Sequence, residues 1–118
     1  MNNDDITIYH NPRCSKSRET LAMLQERGIE PRVVKYLDDP PDAVTLRRLL
    51  DQLGLEPRQL MRKKEAPYKA LGLDDPARSD DELIAAMVAN PVLMERPVVV
   101  TPKGAALGRP PEQVLEIL

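Results

Sequence analysis

The chain has 118 residues, and its 17 Lys and Arg against 19 Asp and Glu leave a net charge of -2. So small an imbalance excludes a long-range pull toward nucleic acid or an anionic membrane, so any anion site must be local. One Cys excludes an internal disulfide, and one Cys with one His cannot supply the roughly four ligands of a protein zinc or iron–sulfur site.

Residues 1–6 are polar and acidic and carry no apolar signal-peptide core. No apolar run approaches the roughly 20 residues of a membrane span, so a cytoplasmic location is expected. With no Trp and no Phe, the core must come from Leu, Val, Ile and Met.

Ile6-Thr7-Ile8-Tyr9 has the β-branched and aromatic character of a strand, and Asn11-Pro12 ends it. Residues 15–27 are good helix formers, with Leu21 and Leu24 three apart and Gly28 placed as the residue after the helix. Val33-Val34-Lys35-Tyr36-Leu37 is the next strand. Two strands joined by one helix predict a parallel pair with a right-handed crossover.

Asp39-Pro40-Pro41-Asp42 marks a break. Beyond it Leu46, Leu49, Leu50 and Leu53 follow the i, i+3, i+4, i+7 pattern of an amphipathic helix closed by Gly54. Pro57 opens a short helix carrying Leu60 and Met61. Ser79-Asp80-Asp81-Glu82 has the form of a capping box ahead of Leu83, Ile84, Met87 and Val88, and Asn90-Pro91 stops that helix. Residues 41–92 therefore read as an all-helical insertion. It interrupts an α/β core of residues 5–40 and 93–118 in a single domain.

Strand character returns at Pro97-Val98-Val99-Val100-Thr101. Thr101-Pro102-Lys103-Gly104 suits a type I turn, and Ala105-Ala106-Leu107 an antiparallel return strand. Pro110-Pro111 begins a last helix with Val114, Leu115 and Leu118 on its apolar face. The order is βαβ, helices, then ββα.

Cys14 follows a strand and stands at or just before a helix start. The unpaired N–H groups and positive dipole there favour a thiolate and an anion alike. Arg13, Lys16 and Arg18 crowd this helix start, where a purely structural design would place acids. Against that, a lone Cys is often an inert small hydrophobe. His10, the only His, sits four residues earlier; its position alone favours a strand-end residue with no role. Arg62 heads the basic run Arg62-Lys63-Lys64, which also suits a solvated helix end. Arg96 and Arg109 each precede a Pro at the mouth of a strand or helix, which restricts the backbone and lets the guanidinium be aimed. Three such Arg residues can clamp a tetrahedral oxyanion, although each alone reads as a surface charge.

The segment His10-Asn11-Pro12-Arg13-Cys14-Ser15-Lys16-Ser17-Arg18-Glu19-Thr20 resembles the active site of the glutaredoxin-linked arsenate reductase family. Glu95-Arg96-Pro97-Val98-Val99-Val100-Thr101-Pro102 and Gly108-Arg109-Pro110-Pro111-Glu112 resemble it too. So do Leu60-Met61-Arg62-Lys63, Pro67-Tyr68 and Leu71-Gly72-Leu73, and the likeness runs in order over residues 6–118. It implies a thioredoxin-like fold with a helical insertion. It implies that Cys14 attacks arsenate or a similar oxyanion, that Arg62, Arg96 and Arg109 bind it, and that His10 assists thiolate formation. Ser15, Lys16 and Ser17 support the site, and Pro97 matches a cis proline facing the nucleophile.

No bound cofactor or metal is implied. The resemblance implies glutathione as co-substrate and glutaredoxin as partner, and an external thiol is expected because one Cys cannot resolve itself. The expected state is a monomer that engages neither nucleic acid nor membrane. Two departures stand out. Ser15-Lys16 replaces the small residues, such as Gly-Thr or Gly-Gln, usual in this family, as in a subgroup with Cys-Ser-Lys-Ser. The chain also stops at Leu118, where some longer members continue. Two other readings stay open: a monothiol oxidoreductase acting on glutathione mixed disulfides, and a non-catalytic regulator that binds RNA polymerase. The regulators usually carry a Cys-x-x-Cys switch, which is absent here.

Overall fold

The computed structural model describes residues 5–118, so most of the polar N-terminal segment read above lies outside the described residues. The chain divides into two compact units. One comprises the described residues through Asp39 together with Arg96–Leu118, and the other is Pro40–Glu95.

The first unit holds a four-stranded mixed sheet of order β2-β1-β3-β4. β1 (Thr7–His10) pairs parallel with β2 (Arg32–Lys35) and antiparallel with β3 (Val98–Thr101). β3 pairs antiparallel with β4 (Gly104–Leu107) across the tight turn Pro102-Lys103. The β1–β2 crossover contains α1 (Ser15–Glu26), which ends where Gly28 takes φ +77°, a backbone state only glycine adopts without strain. This βαβ then ββ order, closed by a C-terminal helical segment, is the thioredoxin-like arrangement.

Alternation along β1 sends Ile8 and His10 to one buried face. Ile6, Ile8, Leu24, Val99 and Val114 form the core there, each fully buried. Burying a side chain of this size contributes roughly 1.5–3 kcal/mol.

Two elements differ from expectation. β2 stops at Lys35 rather than at Leu37, because the Lys35 carbonyl accepts the N–H groups of Asp38 and Asp39 (3.0 and 2.9 Å) and turns the chain. The C-terminal segment Pro111–Ile117 winds as a 3-10 helix. At about three residues per turn Val114 and Ile117 share a face, so Ile117 joins the core in place of the expected Leu115. Its end is tied down by the Thr101 hydroxyl, which donates to the Ile117 carbonyl (2.5 Å).

The second unit is helical. α2 (Ala43–Leu53) starts on Asp42, whose side chain accepts the Thr45 N–H at 2.8 Å, and buries Leu46, Leu49 and Leu50. Gly54 caps it in the left-handed conformation. A 3-10 turn follows at Pro57–Leu60, then the short α3 (Ala66–Ala70). The sequence reading missed α3 because Tyr68 is its one buried residue, which leaves no helical periodicity to detect. α4 (Asp80–Ala89) begins on the Ser79–Glu82 capping box, and a further 3-10 turn, Pro91–Leu93, follows it. No helix among the described residues is long and apolar enough to cross a membrane.

Candidate active site

Strand register gathers the site at one end of the sheet. Tyr9 lies opposite Val98 and Val98 opposite Leu107, so the exit of β1, the entry of β3 and the exit of β4 come together. Cys14 follows the first, Arg96-Pro97 precedes the second, and Gly108-Arg109 follows the third. The Gly108 N–H donates to the Pro97 carbonyl at 3.0 Å and continues the ladder. Both Arg96-Pro97 and Arg109-Pro110 are cis peptides.

Cys14 is the N-cap of α1, buried to 8% exposure, with its own N–H bonded to the Asn11 carbonyl at 3.0 Å. Burial pushes its thiol up. The backbone N–H of Ser17, the Arg96 guanidinium and the N–H of Lys16 overcome that and hold it below its ordinary value. A thiol lowered this way is expected to titrate, by thiolate absorbance, below an ordinary exposed cysteine. In Arg96→Gln the midpoint should move upward, and an unmoved midpoint would separate Arg96 from the sulfur.

Arg96 carries a second feature. Its Nε and Nη1 are buried and have no hydrogen-bond partner among the described residues. A buried donor left unmatched costs about 1–3 kcal/mol, so two on one guanidinium near the Cys14 sulfur are suited to an anionic partner. Arg109 joins Arg96, its Nη1 donating to the Arg96 carbonyl at 3.3 Å. Arg62 belongs to the helical unit, where its N–H donates to the Leu93 carbonyl at 2.7 Å and its guanidinium pairs with Glu65.

His10 is buried, and its Nδ1 lies 2.7 Å from the Ser17 hydroxyl oxygen. That oxygen also accepts the Asn11 N–H (3.0 Å), which leaves the hydroxyl proton to point at Nδ1. Burial, Lys35 and Arg18 all lower the His10 pKa, so the ring is neutral at neutral pH and accepts at Nδ1. His10 therefore reaches the site through Ser17, which anchors the first turn of α1 against β1. Ser15 is exposed. Lys16 directs its ammonium to Glu19, 3.6 Å away on the next turn.

Sequence reasoning missed three contributors. Asn11 uses its N–H, its carbonyl and its side-chain oxygen, which accepts the Arg13 N–H at 3.0 Å, to shape the loop before Cys14. The Asn-Pro pair was the available signal. Gly108 is a close-packing glycine, and Lys35 lies opposite His10 in the parallel ladder; neither has a local signature. Among the described residues no group of three or more His, Cys, Asp or Glu is placed to hold a metal ion.

Known proteins are similar to this chain over almost its whole length. YfgD of Escherichia coli (strain K12), an uncharacterized protein, is 61% identical over 96% of this chain and 96% of its own. An arsenate reductase of Rhizobium meliloti (strain 1021) is 52% identical over 96% of this chain and 81% of its own. The solved structure of an arsenate reductase from Vibrio cholerae superposes with a TM-score of 0.95 at 58% identity, covering 99% of this chain and all of that one. The ArsC family itself matches residues 9–117, a span that takes in the Cys14 loop, the Arg96-Pro97 strand entry and Arg109. A match of this length, with relatives more than half identical over nearly the whole chain, makes the chain a member of the ArsC family.

Proposed function

We propose that this protein reduces arsenate to arsenite, with Cys14 as nucleophile and glutathione and glutaredoxin supplying the electrons. The observation that carries the reading is the pair of buried, unmatched Arg96 nitrogens beside a thiol held below its ordinary pKa. The names of relatives at about half identity support it.

Arsenate binds on Arg96 and Arg109, and the family resemblance gives Arg62 the same task. The Cys14 thiolate attacks arsenic, an S–As bond forms, and one oxygen leaves with protons as water. A glutathione thiolate then attacks the Cys14 sulfur. The S–As bond breaks, its electron pair passes to arsenic, and arsenic falls from the five- to the three-valent state. Arsenite leaves, and the Cys14–glutathione disulfide is reduced by glutaredoxin. Two thiols are oxidised to one disulfide, which balances the two electrons. His10 acts by holding Ser17, and hence the N–H groups of the first α1 turn, against the sulfur. Thiols used this way need a reducing compartment, which favours the cytoplasm.

A rival substrate, a glutathione mixed disulfide, is suggested by Lys16, whose ammonium lies 3.6 Å from Glu19. An assay with arsenate, glutathione, glutaredoxin and NADPH tests the proposal. Arsenate-dependent NADPH oxidation is expected. Arg96→Lys should lose about thirtyfold in kcat/KM for arsenate, since one ammonium cannot replace a planar fork. Turnover independent of arsenate, or an Arg96→Lys enzyme as fast as wild type, would overturn it.

A further inference from the structure

Beside the Cys14 loop lies a cleft of about 310 Å³, lined by residues 10–13 and by Lys35, Leu37 and Asp38. Its volume falls at the lower end of small-ligand sites, large enough for a tripeptide-sized molecule and too small for a folded partner. Arg13 and Lys35 are exposed and enter no ion pair among the described residues. Asp38 adds one carboxylate on the same wall. Leu37 is 41% exposed, an apolar surface that an occupant would cover.

The cleft and the sulfur belong to one tight turn. Asn11 lines the cleft, and its carbonyl accepts the Cys14 N–H at 3.0 Å. Four lining residues, 10–13, thus run directly into Cys14 along the chain. Two cations and one anion complement a ligand with two carboxylates and one ammonium, and the unpaired cations keep their charge for it.

We propose that this cleft binds the thiol co-substrate, a small peptide thiol of the glutathione class. Its carboxylates lie on Arg13 and Lys35, its ammonium lies near Asp38, and its sulfur faces Cys14. The inference rests on the reductase reading and places its second substrate on the β2 side of Cys14, apart from Arg96 and Arg109. It also gives Lys35 a role: opposite His10 in the ladder, it is one of the two cations that lower the His10 pKa.

The single His makes the cleft observable. S-methylglutathione, which has no free thiol, is titrated into wild-type protein while the His10 imidazole resonances are followed by NMR. A saturable shift is expected, with a rise in the His10 pKa as the ligand carboxylate offsets Lys35. Sulfate should leave the S-methylglutathione affinity unchanged. Lys35→Gln and Arg13→Gln should each weaken binding about fivefold, and Lys35→Arg should restore it. In the coupled assay Lys35→Gln should raise KM for glutathione by a similar factor and leave KM for arsenate alone. Absence of a saturable shift, or unchanged affinity in both Gln variants, overturns the cleft as the thiol site. If arsenate is reduced but Lys35→Gln leaves the glutathione KM unmoved, the cleft assignment falls and the reductase reading stands. If S-methylglutathione binds as described but arsenate is not turned over, the cleft stands and the arsenate reading falls.

Discussion

Cys14→Ser is expected to abolish arsenate-dependent NADPH oxidation, a fall of at least about 10³-fold, while leaving the melting temperature within a few degrees of wild type. Three groups outweigh the burial that disfavours a thiolate at this sulfur. The N–H groups of Lys16 and Ser17 and the Arg96 guanidinium all stabilise negative charge at that atom. A serine hydroxyl in the same place stays protonated at neutral pH, so those groups have no anion to stabilise before attack. Serine oxygen also cannot take part in the disulfide that carries the electrons away. The two side chains are close in volume, and Cys14 lies outside the Ile6–Val114 core cluster, so stability should hold. A Ser variant retaining even a tenth of the wild-type rate would remove Cys14 from the reaction.

Gly108→Ala should destabilise the sheet unit by about 3 kcal/mol, read as a drop of about 10 °C in melting temperature. A Cβ at position 108 would stand 2.4 Å from the Thr20 oxygen and 2.7 Å from the Pro97 ring. Neither neighbour can step aside. Thr20 is fully buried, and its hydroxyl donates to the Lys16 carbonyl at 2.8 Å within α1. Pro97 is a closed ring whose carbonyl already accepts the Gly108 N–H. Relief therefore requires α1 and the β3 entry to part, which moves Cys14 away from Arg96 and carries Arg109 with it. Loss of stability and loss of arsenate kcat/KM are expected together. A Gly108→Ala protein melting within about 2 °C of wild type would show that the contact is loose.

Much of the fold was legible because it is written in local terms. α1 begins one residue after Cys14 and ends before Gly28. α2 follows its four leucines from Leu46 to Leu53, and α4 starts on the Ser79–Glu82 box. Each depends on residues within a turn or two of one another, where propensity, capping and periodicity act without help from distant chain. The elements that escaped, α3 and the 3-10 winding of Pro111–Ile117, lack such a signal. Tyr68 is a single buried residue, and the last segment is set by what Val114 and Ile117 meet across the core.

The site divides along the same line. That Cys14 stands at the start of a helix crowded with cations follows from neighbouring residues, and so did its candidacy as a thiolate. Which groups surround that thiol was set instead by the β1–β3 and β3–β4 registers. They bring Arg96, Pro97 and Gly108 from the far end of the chain to the same end of the sheet as Cys14. His10 became a partner of Ser17, and Lys35 its neighbour, only through burial and strand pairing. A residue's own type and its near neighbours determine its backbone state and its chemistry. Which charges surround it depends on hydrogen-bonded strands far apart in sequence, and only the folded chain sets those distances.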